Sequence, residues 1–294
     1  MEIVVASGKG GTGKTFVAAN LAYYMKTSVE PVVAVDADAE APDLLLTLGG
    51  SGEELFEKPV SASRKASIDY NRCTQCLKCL DACRFYALRV IEGKPFVIEE
   101  YCEGCNACGI VCPANCISLY VKETGIVRAD VSRSGVPVVT ADLDVGGRNS
   151  GELVFLAKSE AYALSRELKA KHVVVDAAAG IGCPVISSLA GAHVLITVVE
   201  PTPPSISGAK RLLEVAEKMR VKPFAVLNKF DMPSSRIDDP ARELGVEVLG
   251  KIPYHRSVVE AYVNMKPLLA YAPDGEVSKR LKEIFNYFVE SVLR

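Results

Sequence analysis

The chain has 294 residues, 49% of them hydrophobic and 24% charged, with a formal net charge of −2 at pH 7. This is room for one large soluble domain or two ordinary ones, without the basic excess of a nucleic-acid-binding surface. No apolar run approaches the roughly 18 residues a membrane span needs. The apolar run at the N-terminus is short and feeds directly into a glycine-rich segment, unlike a secretion signal, so the expected location is cytoplasmic.

Residues 2–6, EIVVA, predict a strand, and residues 15–26, TFVAANLAYYMK, free of Pro and Gly, predict a helix. Between them, Gly8 to Thr15 reads G-x-x-x-x-G-K-T, a phosphate-binding loop in the strand–loop–helix setting such a loop requires. Gly8, Gly10, Gly11 and Gly13, with Thr12 among them, let backbone N–H groups turn toward phosphate oxygens, and the helix N-terminus adds partial positive charge. Lys14 is the lysine for the β- and γ-phosphates, and the Thr15 hydroxyl is a ligand for Mg²⁺. Lys9 is a second lysine that the motif does not need. The next strand, residues 32–35, ends in Asp36-Ala37-Asp38.

Ten cysteines follow, nine of them between Cys73 and Cys116. Packed so closely in a chain expected to meet a reducing cytosol, they read as metal ligands and not as a disulfide framework. The spacing is Cys73-x2-Cys76-x2-Cys79-x3-Cys83, then Cys102-x2-Cys105-x2-Cys108-x3-Cys112-Pro113, each second-set cysteine 29 residues after its counterpart. That is an internal duplication. Structural zinc uses separated C-x2-C pairs and fits triple runs poorly.

Further strands are expected at 172–176, 193–199, 223–227 and 246–249, with helices between them. This alternation predicts an α/β fold with a mostly parallel sheet. Asp176 ends the first of these strands, at the sheet edge where α/β folds bind ligands. Taken singly, the strand-end acids also suit helix capping. Asn228-Lys229-Phe230-Asp231 follows the 223–227 strand as N-K-x-D, a motif in which an aspartate reads guanine. The last segment has apolar residues at Val277, Leu281, Phe285, Phe288 and Val292, the rhythm of an amphipathic helix expected to dock on the sheet.

Residues 7–15 resemble the deviant Walker A loop of the MinD/Mrp/nitrogenase-iron-protein class of P-loop ATPases, over residues 1 to about 50 and about 136 to 260. The resemblance implies ATP and Mg²⁺ as cofactors and a homodimer closing through its nucleotide face, with Lys9 reaching the partner's phosphates. VDADAEAPDLLL matches the first switch, which makes Asp36 the Mg²⁺-shell acid and Asp38 the residue positioning water; Asp176 matches the second switch. Here DAAAGIG replaces the proline–glycine element common in the family after that aspartate. The class also places the strand-end asparagine, Asn228, on adenine, with GTP left open by Asp231.

The cysteine block resembles a bacterial two-cluster ferredoxin, in which the fourth cysteine of each run serves the other cluster. That implies Cys73, Cys76, Cys79 and Cys112 around one [4Fe–4S] cluster, and Cys102, Cys105, Cys108 and Cys83 around a second. Arg84 stands where the pattern has a proline after the fourth cysteine. Cys116 and Cys183 are expected to be packing residues. The expected organisation is an ATPase of residues 1–63 and 121–294, interrupted at 64–120 by the inserted small α+β ferredoxin-like domain, with polar loops as junctions. Three functions are compatible: nucleotide-gated electron transfer or metallocluster maturation on a partner protein, an Mrp-like iron–sulfur carrier, and a MinD/ParA-like spatial organiser.

Overall fold

The computed structural model describes residues 1–61, 63–147, 149–232 and 240–293. In chain order the elements are β1 (Glu2–Ser7), α1 (Lys14–Ser28), β2 (Val32–Ala37), α2 (Leu44–Thr47), β3 (Ser51–Val60), β4 (Ser63–Ile68), α3 (Lys78–Ala82), β5 (Leu88–Ile91), β6 (Lys94–Val97), α4 (Ala107–Ile110), β7 (Ile117–Lys122), β8 (Gly125–Ser132) and β9 (Pro137–Leu143). They continue with α5 (Ser150–Glu167), β10 (His172–Ala179), α6 (Cys183–Leu189), β11 (Val194–Val199), α7 (Pro203–Lys218), β12 (Lys222–Asn228), α8 (Pro240–Leu244), β13 (Val248–Ile252), α9 (Arg256–Val263), α10 (Leu268–Tyr271) and α11 (Glu276–Phe288).

Two compact units share these elements: residues 1–58, 127–142 and 150–294 form the first, and 59–126 with 143–149 the second. The first is built on a nine-stranded sheet of order β13-β12-β11-β1-β10-β2-β9-β8-β3. Every neighbouring pair from β13 to β9 is parallel. β1, β2 and β11 are buried along their whole length, which is why they read as unbroken apolar runs instead of alternating ones. The α/β class with a mostly parallel sheet is as expected. β9 lay outside the expected strands, and Ser51–Val60 and Gly125–Ser132, expected as polar loops, are β3 and β8. The polarity was misleading because β3 is exposed along nearly all its length; GIVRADVS carried a strand alternation that its charges obscured.

α11 lies against the sheet. Its Val277, Leu281, Ile284, Phe285 and Phe288 are buried, Phe288 packs edge-on against Phe224 of β12, and a Cβ on Gly250 of β13 would stand 2.5 Å from the Ile284 side chain. The apolar face is therefore covered by this chain. Among the described residues no helix is long and apolar enough to cross a membrane.

The second unit repeats itself. β4 pairs antiparallel with β7, placing Ile68 opposite Ile117, and β5 pairs with β6 placing Leu88 opposite Val97. The 29-residue offset carries one ribbon onto the other with register intact. The left-handed backbone positions obey it too: Gln75 and Gly104, Leu77 and Asn106, Tyr86 and Asn115. The unit's core is small and built largely from cysteines with Ala66, Ile68, Ala87 and Leu88.

A buried charge pair fastens α5 to the first unit's sheet. The Lys158 ammonium lies 2.7 Å from Glu2 Oε1 and donates to the carbonyls of Ser187, Ser188 and Ala190, capping the C-terminus of α6. Burial pushes Glu2 up and Lys158 down from their ordinary values. Removing one partner strands the other charge. Lys158→Met is expected to cost about 3–5 kcal/mol in urea unfolding, and Lys158→Met with Glu2→Gln is expected to recover part of that loss; an unchanged midpoint for the single variant would refute this account.

Candidate functional site

In the first unit, the parallel strands all deliver their carboxyl ends to one edge. The Gly8–Thr15 loop leaves β1 there and enters α1 through Gly13, whose φ of 96° is left-handed. Gly8 passes so near α7 that a Cβ would stand 2.0 Å from the Gly208 carbonyl carbon, so neither position accommodates a side chain. Ser7 O accepts from the Gly180 amide at 2.8 Å, joining the start of the loop to the end of β10.

Asp36 on β2 and Asp176 on β10 are direct neighbours in the parallel register, and both are fully buried. Asp36 accepts from the amides of Asp38 at 3.2 Å and Leu44 at 2.8 Å, which shapes the segment entering α2. Burial first, and then Asp176, hold its carboxyl well above the usual range. Asp176 is pushed up to about 7, mainly by burial, with Lys14 and the Thr15 hydroxyl opposing. Neither Asp176 oxygen has a hydrogen bond of normal geometry; Lys14 Nζ is 3.9 Å away. Lys14 instead pairs with Asp38 Oδ2 at 2.8 Å, and the surrounding carboxylates hold its ammonium above the ordinary value despite burial. Three carboxylates and a threonine hydroxyl thus lie around one ammonium.

Lys9 is half exposed, with its Nζ 3.8 Å from Glu200 Oε2. Glu200, just beyond β11, also takes Lys229 Nζ at 2.7 Å, and Lys229 donates to Gly11 O at 2.9 Å. Asn228 donates to Thr12 O at 2.7 Å. The N-K-x-D segment therefore braces the phosphate loop through its first two residues. Its Asp231 Oδ1 accepts the Tyr254 amide at 2.7 Å and so anchors the segment after β13. Glu200 was missed in the sequence, although it follows an apolar strand as closely as Asp36 and Asp176 do. Along DAAAGIG, β10 continues to Ala179 and Gly180 takes a φ of 95°.

In the second unit, Cys73, Cys76, Cys79 and Cys112 line one pocket and Cys83, Cys102, Cys105 and Cys108 line another. Each pocket has three cysteines of one repeat and the fourth of the other, and the first is lined by Cys116 as a fifth. The left-handed residues at 75 and 77, and at 104 and 106, fold each C-x2-C-x2-C loop around its pocket. Such turns present successive backbone N–H groups to an anion. Among the described residues no three His, Cys, Asp or Glu side chains gather as a site for a single ion. A cubane asks for something else, one thiolate at each of four separate irons; the second pocket has four thiols and the first has those four and Cys116, so both suit it in chemistry. Cys116 is buried beside them, its sulfur 3.4 Å from that of Cys112. Backbone N–H groups, led by that of Cys116, hold the Cys112 thiol down, while burial and Cys112 push Cys116 up to about 12. Cys183 corrects an expectation: it is exposed, not packed. It opens α6, whose buried face is Val185, Ser188 and Leu189.

The family profile for the CobQ/CobB/MinD/ParA nucleotide binding domain matches residues 3–268. The chain belongs to this family. As a member it carries a nucleotide-binding domain of the CobQ/CobB/MinD/ParA kind. It is 29% identical to an uncharacterized protein of Methanocaldococcus jannaschii over 98% of both chains. An iron–sulfur cluster carrier protein of Saccharolobus solfataricus is 24% identical, over 99% of this chain and 83% of that one. The fold matches the crystal structure of the Pyrococcus furiosus cell division ATPase MinD with a TM-score of 0.62 at 18% identity, covering 99% of each chain.

The elevated Asp176 gives a pH prediction. Between its ordinary value of 3.8 and about 7, the folded protein keeps a proton that the unfolded chain releases, so stability falls as pH rises through that window. Asp176→Asn is expected to raise the melting temperature of the nucleotide-free, chelator-treated protein at pH 8 by about 2–4 °C per kcal/mol relieved. The gain should vanish toward pH 4. A gain that is constant across pH 4–8 would show that the carboxylate is not the cause.

Proposed function

We propose that the chain is an ATP-hydrolysing iron–sulfur protein that works as a homodimer and couples nucleotide-dependent closure to electron transfer, or to metallocluster maturation, on a partner protein. The observation that carries this reading is the pair of cysteine-lined pockets, each with three cysteines of one repeat and the fourth of the other, in a chain that also has an intact phosphate loop. Bound there, two [4Fe–4S] clusters would supply one-electron chemistry at low potential.

The chain's own groups have separable roles. The loop amides and Lys14 hold the phosphates, and Thr15 with Asp36 holds Mg²⁺. Binding a triphosphate draws Lys14 from Asp38, which frees Asp38 to orient water beside Asp176. Lys9 is half exposed and held only by a 3.8 Å contact with Glu200, a weak restraint at a wet surface. A second copy can therefore capture it, and its charge then meets the negative charge that accumulates during phosphoryl transfer. Asp231 already accepts a backbone amide, which favours ATP over GTP; Asn228 would reach adenine only by giving up the Thr12 carbonyl.

A cluster carrier is the second reading, favoured by the likeness to the Saccharolobus solfataricus carrier. It requires a labile cluster, whereas two sets of four thiols within one chain make retained ones. A spatial organiser has less support, because the apolar face of α11 is already buried on the sheet.

Two measurements separate these readings. Anaerobically purified protein is expected to hold about eight irons per chain, with cluster potentials that shift when a non-hydrolysable ATP analogue is added during redox-poised EPR. Potentials indifferent to nucleotide would break the coupling, and iron that a chelator removes only with ATP present would favour the carrier. Lys9→Ala is expected to bind nucleotide but to hydrolyse it on the order of a hundredfold more slowly and to lose nucleotide-dependent dimerisation; Lys14→Ala is expected to lose binding itself.

A further inference from the structure

The first of the two pockets holds one thiol more than its proposed cofactor needs. Cys73, Cys76, Cys79, Cys112 and Cys116 all line it, and a cubane takes four. Cys116 is 6% exposed. Its sulfur lies 3.4 Å from that of Cys112 and also hydrogen-bonds the Cys73 sulfur, so it stands between a ligand of each repeat. Packing does not ask for sulfur here: the position 29 residues earlier is Ala87, which is buried too and lines the second pocket. The linings differ elsewhere, Phe85 against Ala114 and Glu103 against Thr74, and outside them Lys65 is buried where its counterpart Lys94 is exposed. None of these other differences adds or removes a thiol.

We propose that the first pocket offers one cluster two ligand sets: Cys73, Cys76 and Cys79 with Cys112, or the same three with Cys116 as the fourth. The inference rests on the two-cluster reading above. Cys112 is the standing ligand, because the amides of Cys116, Ala114 and Asn115 donate to its sulfur, and hydrogen bonds to a sulfur support the thiolate that iron requires. Cys116 is the reserve, directed at Cys112 and Cys73. In the exchange the bond from iron to the Cys112 sulfur breaks and one to the Cys116 sulfur forms. The Cys116 thiol proton passes to the departing Cys112 sulfur, and no electron moves. The two sulfurs are already in contact, a gap that side-chain rotation can span. Both cysteines belong to the second repeat, so either ligand set ties the repeats together. Cys112 is only partly buried and Cys116 is buried, so the reserve is the better shielded of the two. The second pocket is lined by no such reserve, since Ala87 has nothing to offer iron if Cys83 is lost.

The experiment counts iron and records EPR on the full-length protein, reconstituted anaerobically and then freed of small thiols. The wild type is expected to hold about eight irons per chain. Cys112→Ala should also hold about eight, with no three-iron signal, because Cys116 takes the fourth iron. Cys112→Ala combined with Cys116→Ala should fall to about seven and show the oxidised-state EPR signal of a three-iron cluster. Cys83→Ala should do the same on its own, and Cys116→Ala alone should lose no iron. The proposal is overturned if Cys112→Ala alone gives the three-iron signal or loses the first cluster. It is also overturned if the double variant or Cys83→Ala keeps all its iron, which would show that an outside ligand suffices. If Cys112→Ala fails to fold, Cys112→Ser keeps the size of the side chain and resonance Raman decides: all-sulfur ligation supports the exchange, and an iron–oxygen mode overturns it. Wild-type iron far below about eight per chain would instead refute the two-cluster reading itself.

Discussion

Two carboxylates that the sheet places side by side, away from water, constrain everything around the phosphate loop. Asp36 and Asp176 stand opposite each other on β2 and β10, and neither is exposed. Like charges at this separation in a low dielectric raise each other's proton affinity. Lys14 reaches toward both strands and still falls short of neutralising three nearby aspartates. The nucleotide-free site is thus a stored electrostatic imbalance. In the proposed function a divalent cation with phosphates would offset it, the cation answering the carboxylates and the phosphates taking the ammonium and the loop amides.

That imbalance explains why so much of the local structure serves as bracing. Asn228 and Lys229 fix the loop from β12. Gly180 fixes its start from β10, and the Gly8–Gly208 approach fixes its flank. A loop held this way spends little conformational entropy on binding, so its amides act as preorganised dipoles. Glu200 holds one of these restraints, Lys229, at 2.7 Å and Lys9 at only 3.8 Å. Lys9, whose proposed target lies in another subunit, is thus more exposed than Lys14 and less tightly paired.

The second unit solves a different problem. It is small and has little aliphatic material for a core. Four of its eight most buried core residues are cysteines. Thiols packed this way are costly to hold apart as anions, and burial pushes Cys79 and Cys108 up from the ordinary thiol value. Metal ligation removes that cost by sharing the thiolate charge with iron. The unit's fold and its proposed cofactor would thus be mutually dependent, with the exchange of fourth cysteines tying the two repeats into one body.

The sequence by itself determined the parallel strands, the loop and its lysines, the strand-end aspartates and the cysteine duplication. All of these are local patterns: an apolar run long enough for a buried strand, glycines at fixed offsets, a spacing repeated 29 residues on. It missed the parallel strand β9, and it misjudged β3, where exposure strips away the apolar signal, β8, where charges obscured it, and Cys183, where the helical face decides burial. Only the tertiary structure decided that Lys9 meets Glu200, that Asp231 is spent on Tyr254, and that Lys65 is buried while its counterpart Lys94 is exposed. In each case the deciding partner comes from a different strand or loop, and the choice depends on register and burial, which no window of neighbouring residues contains.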